Sequence, residues 1–129
     1  MKTLIRYRKM KDKLITAICL NLDTDGIKYN KWGSIQHGKP GDWIVENNGD
    51  IYTVDMDSFN KSYKEISPGR FLKITPVWAC VATDDGSIKT KEGHSYYKTG
   101  DYLVYNNRDK TDGYCMSAEK FNSMYELDE

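Results

Sequence analysis

Two Gly-Asp-aromatic motifs carry the residues of this chain whose types and spacing could do chemistry. Asp42 is followed by Trp43 and Asp101 by Tyr102, each pair directly after a glycine. A pair of carboxylates can act as acid and base or can hold a cation. An aspartate after glycine at the start of a strand more often accepts hydrogen bonds from amides of its own turn. We therefore expect a structural role for both aspartates and treat all four residues as candidates for ligand binding only.

Two basic residues and two tyrosines complete the candidate binding set: Arg70, Lys73, Tyr96 and Tyr105. The basic pair recurs, because Arg8 and Lys11 occupy the matching positions of an earlier segment. The chain has ten tyrosines, a residue type that is enriched in recognition surfaces because it offers amphipathic contact area at low entropy cost. We place four aromatic residues in or beside loops, with a surface role: Trp32, Tyr96, Tyr97 and Tyr105. Four others are expected in the core: Phe59, Tyr63, Phe121 and Tyr125.

Histidine and cysteine give no sign of a metal centre or a nucleophile. His37 and His94 fall at non-equivalent positions of the repeat described below, so a symmetric two-histidine site is unsupported. The three cysteines are far apart and form no Cys-x-x-Cys pair, which favours reduced thiols. Cys80 lies within a predicted strand, where we expect a small buried hydrophobic residue. We predict no metal site, no cofactor and no catalytic group, which leans against an enzyme without deciding the matter.

The two motifs belong to an internal repeat. Residues 39–48 (KPGDWIVENN) align with residues 98–107 (KTGDYLVYNN), with six of ten positions identical. Downstream identities continue in the same order: Asp50 with Asp112, Tyr52 with Tyr114, Phe59 with Phe121, Asn60 with Asn122 and Tyr63 with Tyr125. The second copy has three extra residues within the polar run 106–113, where a loop tolerates added length. We predict two units, residues 1–66 and 70–129, joined by a linker at residues 67–69.

The elements that must position the motifs are short strands. Segments rich in β-branched and apolar residues between turn formers predict strands at residues 14–20, 43–46, 51–54, 77–82 and 102–105. The run Asn47-Asn48-Gly49-Asp50 predicts a tight hairpin, since Asn and Gly accept the positive φ of such turns. The second unit is expected to form the same hairpin with a longer loop.

Each unit is predicted to end in a short helix. Asp55 and Ser117 are the expected N-caps, and Phe59, Tyr63 and Ile66 follow the spacing of a helical face. Pro68-Gly69 should end the first helix. The predicted fold class is α+β, with two tandem pseudo-symmetric units, each a small antiparallel β-sheet with one short C-terminal helix. Units near 60 residues bury little alone, so we expect them to share a core.

The charge balance argues against whole-surface binding of nucleic acid. The 129 residues carry 19 basic and 19 acidic side chains, without the basic excess of duplex-binding proteins. Residues 6–13 are mostly basic and are expected to form a solvated N-terminal extension. Residues 1–66 have a net charge of +2 and residues 67–129 a net charge of −2, which favours docking of units or protomers and a possible homo-oligomer.

Localisation follows from the lack of apolar runs. No segment has the cleavable pattern of a signal peptide or approaches the roughly 18 to 20 apolar residues of a membrane-spanning helix. We predict a cytoplasmic protein that does not contact membranes.

Three stretches carry a resemblance to known proteins: residues 67–79 (SPGRFLKITPVWA), 99–106 (TGDYLVYN) and 113–126 (GYCMSAEKFNSMYE). They resemble a group of small bacterial and phage proteins with a Pro-Gly-Asp-Tyr (PGDYG-like) motif. The first copy departs from the pattern at Asp42-Trp43 and at residues 55–59. The resemblance implies a fold unit and a prokaryotic or phage origin, without an assigned reaction.

The duplicated, tyrosine-rich motifs favour a non-enzymatic binding or adaptor protein that takes a protein or small ligand in the groove between the two repeats. One alternative is a nucleotide-binding or nucleotide-sequestering protein, or a small enzyme, with its site between the two Gly-Asp-aromatic motifs. Another is a phage-encoded inhibitor of a host factor.

Overall fold

The chain folds mainly into short antiparallel strands. The computed structural model describes residues 3–90 and 92–128, so the outermost residues of both predicted units (1, 2 and 129) and Lys91 lie outside the description. The elements in chain order are β1 Ile5–Lys9, β2 Ile15–Cys19, β3 Ile27–Lys31, β4 Ser34–Gly38, β5 Trp43–Asn47, β6 Asp50–Val54, α1 Met56–Ser62, β7 Tyr63–Ser67, β8 Arg70–Lys73, β9 Val77–Val81, β10 Gly86–Lys89, β11 His94–Tyr97, β12 Tyr102–Tyr105, β13 Gly113–Met116, α2 Ala118–Met124 and β14 Tyr125–Leu127.

Two five-stranded sheets and two hairpin ribbons account for these strands. The first sheet has the order β6-β5-β2-β8-β7, and the second has the order β13-β12-β9-β1-β14. The ribbons are β3-β4 and β10-β11. The two orders correspond strand for strand: β6 matches β13, β5 matches β12, β2 matches β9, β8 matches β1 and β7 matches β14.

The first strand of each sequence copy lies in the sheet of the other copy. β1 pairs with β9 and β14, so Tyr7 lies opposite both Val77 and Leu127. β8 likewise pairs with β2 and β7. All five strands of the first sheet therefore come from the continuous segment 15–73, whereas the second sheet needs β1 from the start of the chain.

The predicted solvated extension at residues 6–13 is wrong for its first half, because Ile5–Lys9 is a strand inside the second sheet. Side chains alternate across a strand. Arg6 and Arg8 point outward to ion pairs with Asp128 and Glu126, while Lys9 on the other face is only 4% exposed. The basic composition therefore hid a strand with one buried face.

The predicted strands are confirmed as β2, β5, β6, β9 and β12, with ends that differ by one residue at most. The hairpin between β5 and β6 is also confirmed. Its turn residues Asn48 and Gly49 have φ of 52° and 94°, and Asn47 lies opposite Asp50.

The first helix is shorter than predicted. Asp55 and Ser117 are the N-caps, as expected, and each side chain accepts a hydrogen bond from an amide of its helix. However, α1 ends at Ser62, and Tyr63–Ser67 forms β7. Pro68-Gly69 therefore turns the chain from β7 into β8 instead of ending a helix. Phe59, Tyr63 and Ile66 have the spacing of a helical face, but pairing with β8 prevails over it. The backbone groups of residues 63–67 find their hydrogen-bond partners in β8, so they do not need the helix.

Each helix closes one aromatic core. Phe59 in α1 stacks between Trp43 and Tyr63, with ring centroids 4.2 and 4.7 Å away. Phe121 in α2 repeats the arrangement between Tyr102 and Tyr125, at 4.0 and 4.9 Å. Phe59 and Phe121 are 2% and 0% exposed, and Tyr63 and Tyr125 pack in the same clusters, so the four predicted core aromatics are confirmed.

Candidate ligand cavity between the two sheets

A cavity of about 370 Å³ lies between the two sheets, and we call it the central cavity. This volume is within the range of small-molecule sites. Its walls come from both sheets, both helices and the ribbons. The lining residues used below are Trp32, Asn47, Asp50, Tyr52, Asp55, Ser58, Tyr63, Lys73, Glu92, Tyr96, Asp101, Asn106, Asp112, Tyr114, Lys120 and Tyr125.

Equivalent residues of the two sequence copies meet at this cavity. Nine matched pairs line it: Asn47 with Asn106, Asp50 with Asp112, Tyr52 with Tyr114, Thr53 with Cys115, Val54 with Met116, Asp55 with Ser117, Ser58 with Lys120, Ser62 with Met124 and Tyr63 with Tyr125. Four of these nine pairs are identical in residue type. The cavity is therefore built twice from the same short segments, one on each side.

The ribbons close one side of the cavity and are held by the strands at its wall. Tyr29 of β3 binds Thr53 through its hydroxyl, which lies 2.7 Å from the Thr53 hydroxyl and accepts from the Thr53 amide at 2.8 Å. On the other side, Ser95 of β11 lies 2.8 Å from the Cys115 thiol. Cys115 is thus a buried cysteine, whereas Cys80, which we expected to be buried, is half-buried.

Tyrosines recur along the cavity wall, and four of them are deeply placed: Tyr52, Tyr63, Tyr114 and Tyr125. Burial raises the pKa of Tyr52, Tyr63 and Tyr114, and it raises the pKa of Tyr125 to about 12. The Tyr114 and Tyr125 hydroxyls lie 3.0 Å apart, and the Asn47 side-chain amide donates to the Tyr52 hydroxyl at 3.1 Å. All four phenols are therefore neutral near pH 7 and can donate a hydrogen bond.

Two buried lysines lie over rings of these tyrosines, Lys9 over Tyr125 and Lys73 over Tyr63, and only Lys73 is among the residues that line the cavity. Lys9 and Lys73 are 4% and 6% exposed. Burial lowers the pKa of each to about 8, and the charge of Lys9 adds to the lowering at Lys73 while Asp112 opposes it. The Lys73 ammonium donates to the side-chain oxygen of Asn106, another lining residue, at 2.9 Å.

The register of the strands, not the sequence alignment, makes these lysines equivalent. Lys9 lies opposite Tyr125 in the second sheet, and Lys73 lies opposite Tyr63 in the first. The alignment had paired Lys73 with Lys11. The segment between β1 and β2 is two residues longer than the segment between β8 and β9, which shifts the match.

The cavity aspartates of the two copies are held by other cavity residues. Asp50 binds the ammonium of Lys120 and lies 3.5 Å from that of Lys31. Burial acts to raise the pKa of Asp50, but the two ammonium charges outweigh it and lower that pKa. Asp112 accepts from the Asn106 side-chain amide at 3.2 Å. Asp50 thus joins the first sheet to α2, and Asp112 fixes the amide that receives Lys73.

Glu92 brings a second kind of titrating group to the cavity. Its pKa is raised to about 7, first by burial and then by the charge of Asp42, while Lys39 opposes the shift. Its backbone oxygen accepts from the His37 amide at 2.7 Å, which ties the loop between β10 and β11 to β4. A carboxyl that titrates near neutral pH therefore lies at the ribbon side.

Of the eight candidates named from sequence, the structure brings Lys73, Tyr96 and Asp101 to the central cavity. Asp42 does not line it. The Asp42 carboxylate is buried and accepts from the amides of Lys39 and Met56, at 2.8 and 3.2 Å. Asp101 accepts from the Lys98 amide at 2.9 Å. Both aspartates hydrogen-bond local turn amides, as the sequence suggested.

The other four candidates also lie away from the cavity lining. Trp43 and Tyr102 stack in different aromatic cores. Arg70 is exposed and donates to the Thr16 hydroxyl at 3.2 Å. Tyr105, expected near a loop at the surface, ends β12 and is only 9% exposed, because the hairpin turns its ring against the backbone at Gly113.

Sequence reasoning missed Lys9 and the polar tyrosine and asparagine pairs. The repeat did hold a signal for the pairs, because asparagine and tyrosine recur there where an ordinary core needs neither. Lys9 gave none, since its position against Tyr125 depends on the placement of β1 in the second sheet.

Within residues 3–90 and 92–128, no group of three or more His, Cys, Asp or Glu side chains is arranged to hold a metal ion. No helix in the same ranges is long and apolar enough to span a membrane. Comparison with known proteins found no matching protein family, curated protein or solved structure.

Proposed function

We propose that this protein is a non-enzymatic binding protein that holds a small ligand in the central cavity. In this view the chain is two copies of one α+β unit that have exchanged their first strands. The corresponding strand orders of the two sheets support the duplication. A prokaryotic or phage origin, implied by the Pro-Gly-Asp-Tyr resemblance, belongs to the same proposal.

The observation that carries the proposal is that nine equivalent residue pairs of the two copies line one cavity. A duplication leaves matched surfaces facing each other wherever the two units meet. Here the matched surfaces do not pack against each other but leave a cavity between them. Its tyrosines present both an apolar ring and a polar hydroxyl. A concave site with a few convergent polar groups is the usual form of a small-molecule site.

The hydrogen bonds within the cavity support binding over catalysis. Asp50 is paired with Lys120, and the Tyr114 hydroxyl is paired with that of Tyr125. A catalytic pair would instead place a nucleophile within reach of a base and leave room for a reacting atom. These pairs fix the walls, which lowers the entropy cost of binding.

A thermal-shift screen with a variant that fills the cavity tests this proposal. Nucleotides, aromatic acids and neutral aromatic amides would be compared, since a ligand at a hundred times its Kd stabilises by about 2.7 kcal/mol. Ser58→Trp would place an indole in the cavity, whereas Asn60→Trp on the exposed side of the same helix is the matched control. We expect shifts in the wild type and in Asn60→Trp that disappear in Ser58→Trp.

Two results would contradict the proposal. One is a ligand shift that survives in Ser58→Trp, which would place binding outside the cavity. The other is turnover of a nucleotide, ester or peptide that Asp101→Asn abolishes, which would make the protein an enzyme. Ser58→Trp and Asp101→Asn must first show the circular dichroism spectrum of the wild-type protein.

A further inference from the structure

The described lining of the central cavity carries more negative than positive charge. Its carboxylates are Asp50, Asp55, Glu92, Asp101 and Asp112, and its ammonium groups are Lys73 and Lys120. Both ammonium groups are already engaged, because Lys120 binds Asp50 and Lys73 donates to Asn106 at 2.9 Å. A carboxylate that is held away from water is costly unless a positive charge lies near it. The charge of this wall therefore favours a cation over an anion.

Glu92 has no cation of its own among residues 3–90 and 92–128. The positive group that acts on it there is the Lys39 ammonium, which already binds the carboxylates of Asp42 and Asp55 at 3.1 and 3.3 Å. Burial first, and then the charge of Asp42, raise the pKa of Glu92 to about 7. A hydrogen bond from the Asp55 backbone holds the carboxyl in the wall. One lysine is thus shared among three carboxylates, and a further positive charge would stabilise them.

Aromatic rings supply the rest of the cavity wall. The six that line it are Trp32, Tyr52, Tyr63, Tyr96, Tyr114 and Tyr125. Ammonium groups of the chain itself already lie over two of these rings, Lys73 at 5.2 Å from the centroid of Tyr63 and Lys9 at 5.6 Å from that of Tyr125. The face of an aromatic ring attracts a cation. The wall therefore combines a carboxyl that lacks a cation with rings that accept ammonium groups.

We propose that the central cavity binds a small organic ammonium ion, with the Glu92 carboxylate as its counter-ion and the aromatic wall against its carbon skeleton. This inference rests on the proposed function, since it names the ligand class for the same cavity. An aromatic amine and an aliphatic polyamine share this chemistry, and both fit the scale of a cavity of about 370 Å³.

The test is an NMR titration with four probes: benzylammonium, butane-1,4-diammonium, benzyl alcohol and benzoate. Phosphate buffer at pH 7.5 and constant ionic strength is used, because Tris is itself an ammonium ion. We expect benzylammonium to bind at least about tenfold more tightly than benzyl alcohol, which has the same ring without the charge. Benzoate should give no saturable shift. The tighter of the two cations identifies an aromatic amine or a polyamine as the natural class.

Matched carboxylate variants locate the binding. Glu92→Gln keeps the shape of the side chain and removes its charge, and it should weaken benzylammonium about tenfold. Glu119→Gln changes an exposed carboxylate of α2 outside the cavity lining and should leave binding unchanged. The amide spectra of the variants without ligand show whether each has folded.

The pH dependence of binding is a second readout. An alkylammonium ion keeps its charge between pH 5.5 and pH 7.5, so a change in affinity over this range comes from the protein. Affinity for benzylammonium should rise about tenfold, because the cation binds the ionised form of Glu92. The titratable and charged groups around Glu92 are Asp42 and Lys39 before β5, Asp55 at the start of α1, Tyr29 of β3 and His37 of β4. Loss of the rise in Glu92→Gln assigns it to Glu92.

Several outcomes overturn the inference. They are equal affinity for benzyl alcohol and benzylammonium, unchanged cation binding in Glu92→Gln, or no saturable shift with either cation. If benzyl alcohol and benzylammonium bind equally and Ser58→Trp abolishes both, the cation inference falls while the proposed function stands. If cation binding survives in Ser58→Trp, the proposed function falls as well.

Discussion

The ammonium of Lys73 lies 5.2 Å from the centre of the Tyr63 ring, directly across the β7–β8 pair. The corresponding contact in the second sheet joins Lys9 to Tyr125. Because β1 and β8 are exchanged between the sheets, each sheet contains the same lysine–tyrosine contact. The predictions below follow from these contacts and from the other buried polar groups.

Replacing Lys9 should make the protein more stable near neutral pH. Burial lowers the pKa of Lys9 in the folded protein to about 8 from 10.5. Below pH 8 the folded state must hold a buried ammonium, so it is destabilised; this cost disappears as pH rises from 8 to 10.5. Lys9→Met should raise the free energy of unfolding at pH 6 by on the order of 1 to 3 kcal/mol, measured by urea denaturation.

The pH dependence is the control for that experiment. The gain from Lys9→Met should shrink when unfolding is measured at pH 9.5, and Lys64→Met should show no gain at either pH. A variant that is less stable than the wild type at pH 6 would contradict the burial of an unpaired ammonium.

Glu92 should make the protein less stable as pH rises through neutrality. Its pKa in the folded state is raised from 4.5 to about 7, so the folded state binds the proton more tightly than the unfolded state. The stabilisation is present in full below about pH 4.5 and is lost as pH rises through 7. Glu92→Gln should flatten the profile of Tm between pH 5 and pH 8.

Direct titration checks the assignment of this effect to Glu92. The ¹³Cδ signal of Glu92 should move with a midpoint near pH 7, and that of the exposed Glu65 serves as the reference. A Glu92 midpoint below pH 5 would show that the carboxyl is solvated and that the ribbon side of the cavity is open.

The two motif aspartates should differ in their contribution to stability. Asp42 is 1% exposed and accepts from two backbone amides and from the Lys39 ammonium. Asp101 is half-buried and accepts from the Lys98 amide. Asp42→Ala should cost about 2 to 4 kcal/mol because it leaves buried donors without a partner, whereas Asp101→Ala should cost about 1 kcal/mol. Equal losses in urea denaturation would contradict this difference.

A circular permutant should fold because β1 completes the second sheet as β8 completes the first. The Asp128 amide donates to the Arg6 carbonyl at 3.2 Å, so the end of β14 lies beside β1. The permuted chain would begin at Asp12 and run to residue 129, followed by an inserted Pro-Gly and then residues 6–11. The inserted Pro-Gly would join β14 to β1 as Pro68-Gly69 joins β7 to β8. We expect its Tm within a few degrees of the wild type.

Deletion of residues 1–10 is the matching negative control for the permutant. It removes β1 from the interior of the second sheet and exposes the edges of β9 and β14, so loss of cooperative unfolding is expected. A deletion variant with wild-type stability would show that β1 is dispensable and would remove the basis for the strand exchange.

The sequence by itself determined the local structure. The turn at Asn48-Gly49, the N-caps Asp55 and Ser117, and strands such as Tyr102–Tyr105 were predicted, because each depends on residues close together in the chain. The repeat also identified Phe59 and Phe121 as core residues, since identical spacing in both copies preserves the same packing. Asp42 and Asp101 were predicted to bind turn amides for the same local reason.

Only the tertiary structure decided which strands share a sheet and which side chains face the cavity. The run from Tyr63 to Ser67 follows a helical spacing but forms a strand, because its partner β8 is available across a two-residue turn. Lys9 belongs to a basic segment that reads as solvated, but its side chain is buried. The reason is that β1, from the start of the chain, pairs between β9 and β14. Pairings between distant segments depend on the whole fold, and local patterns do not encode them.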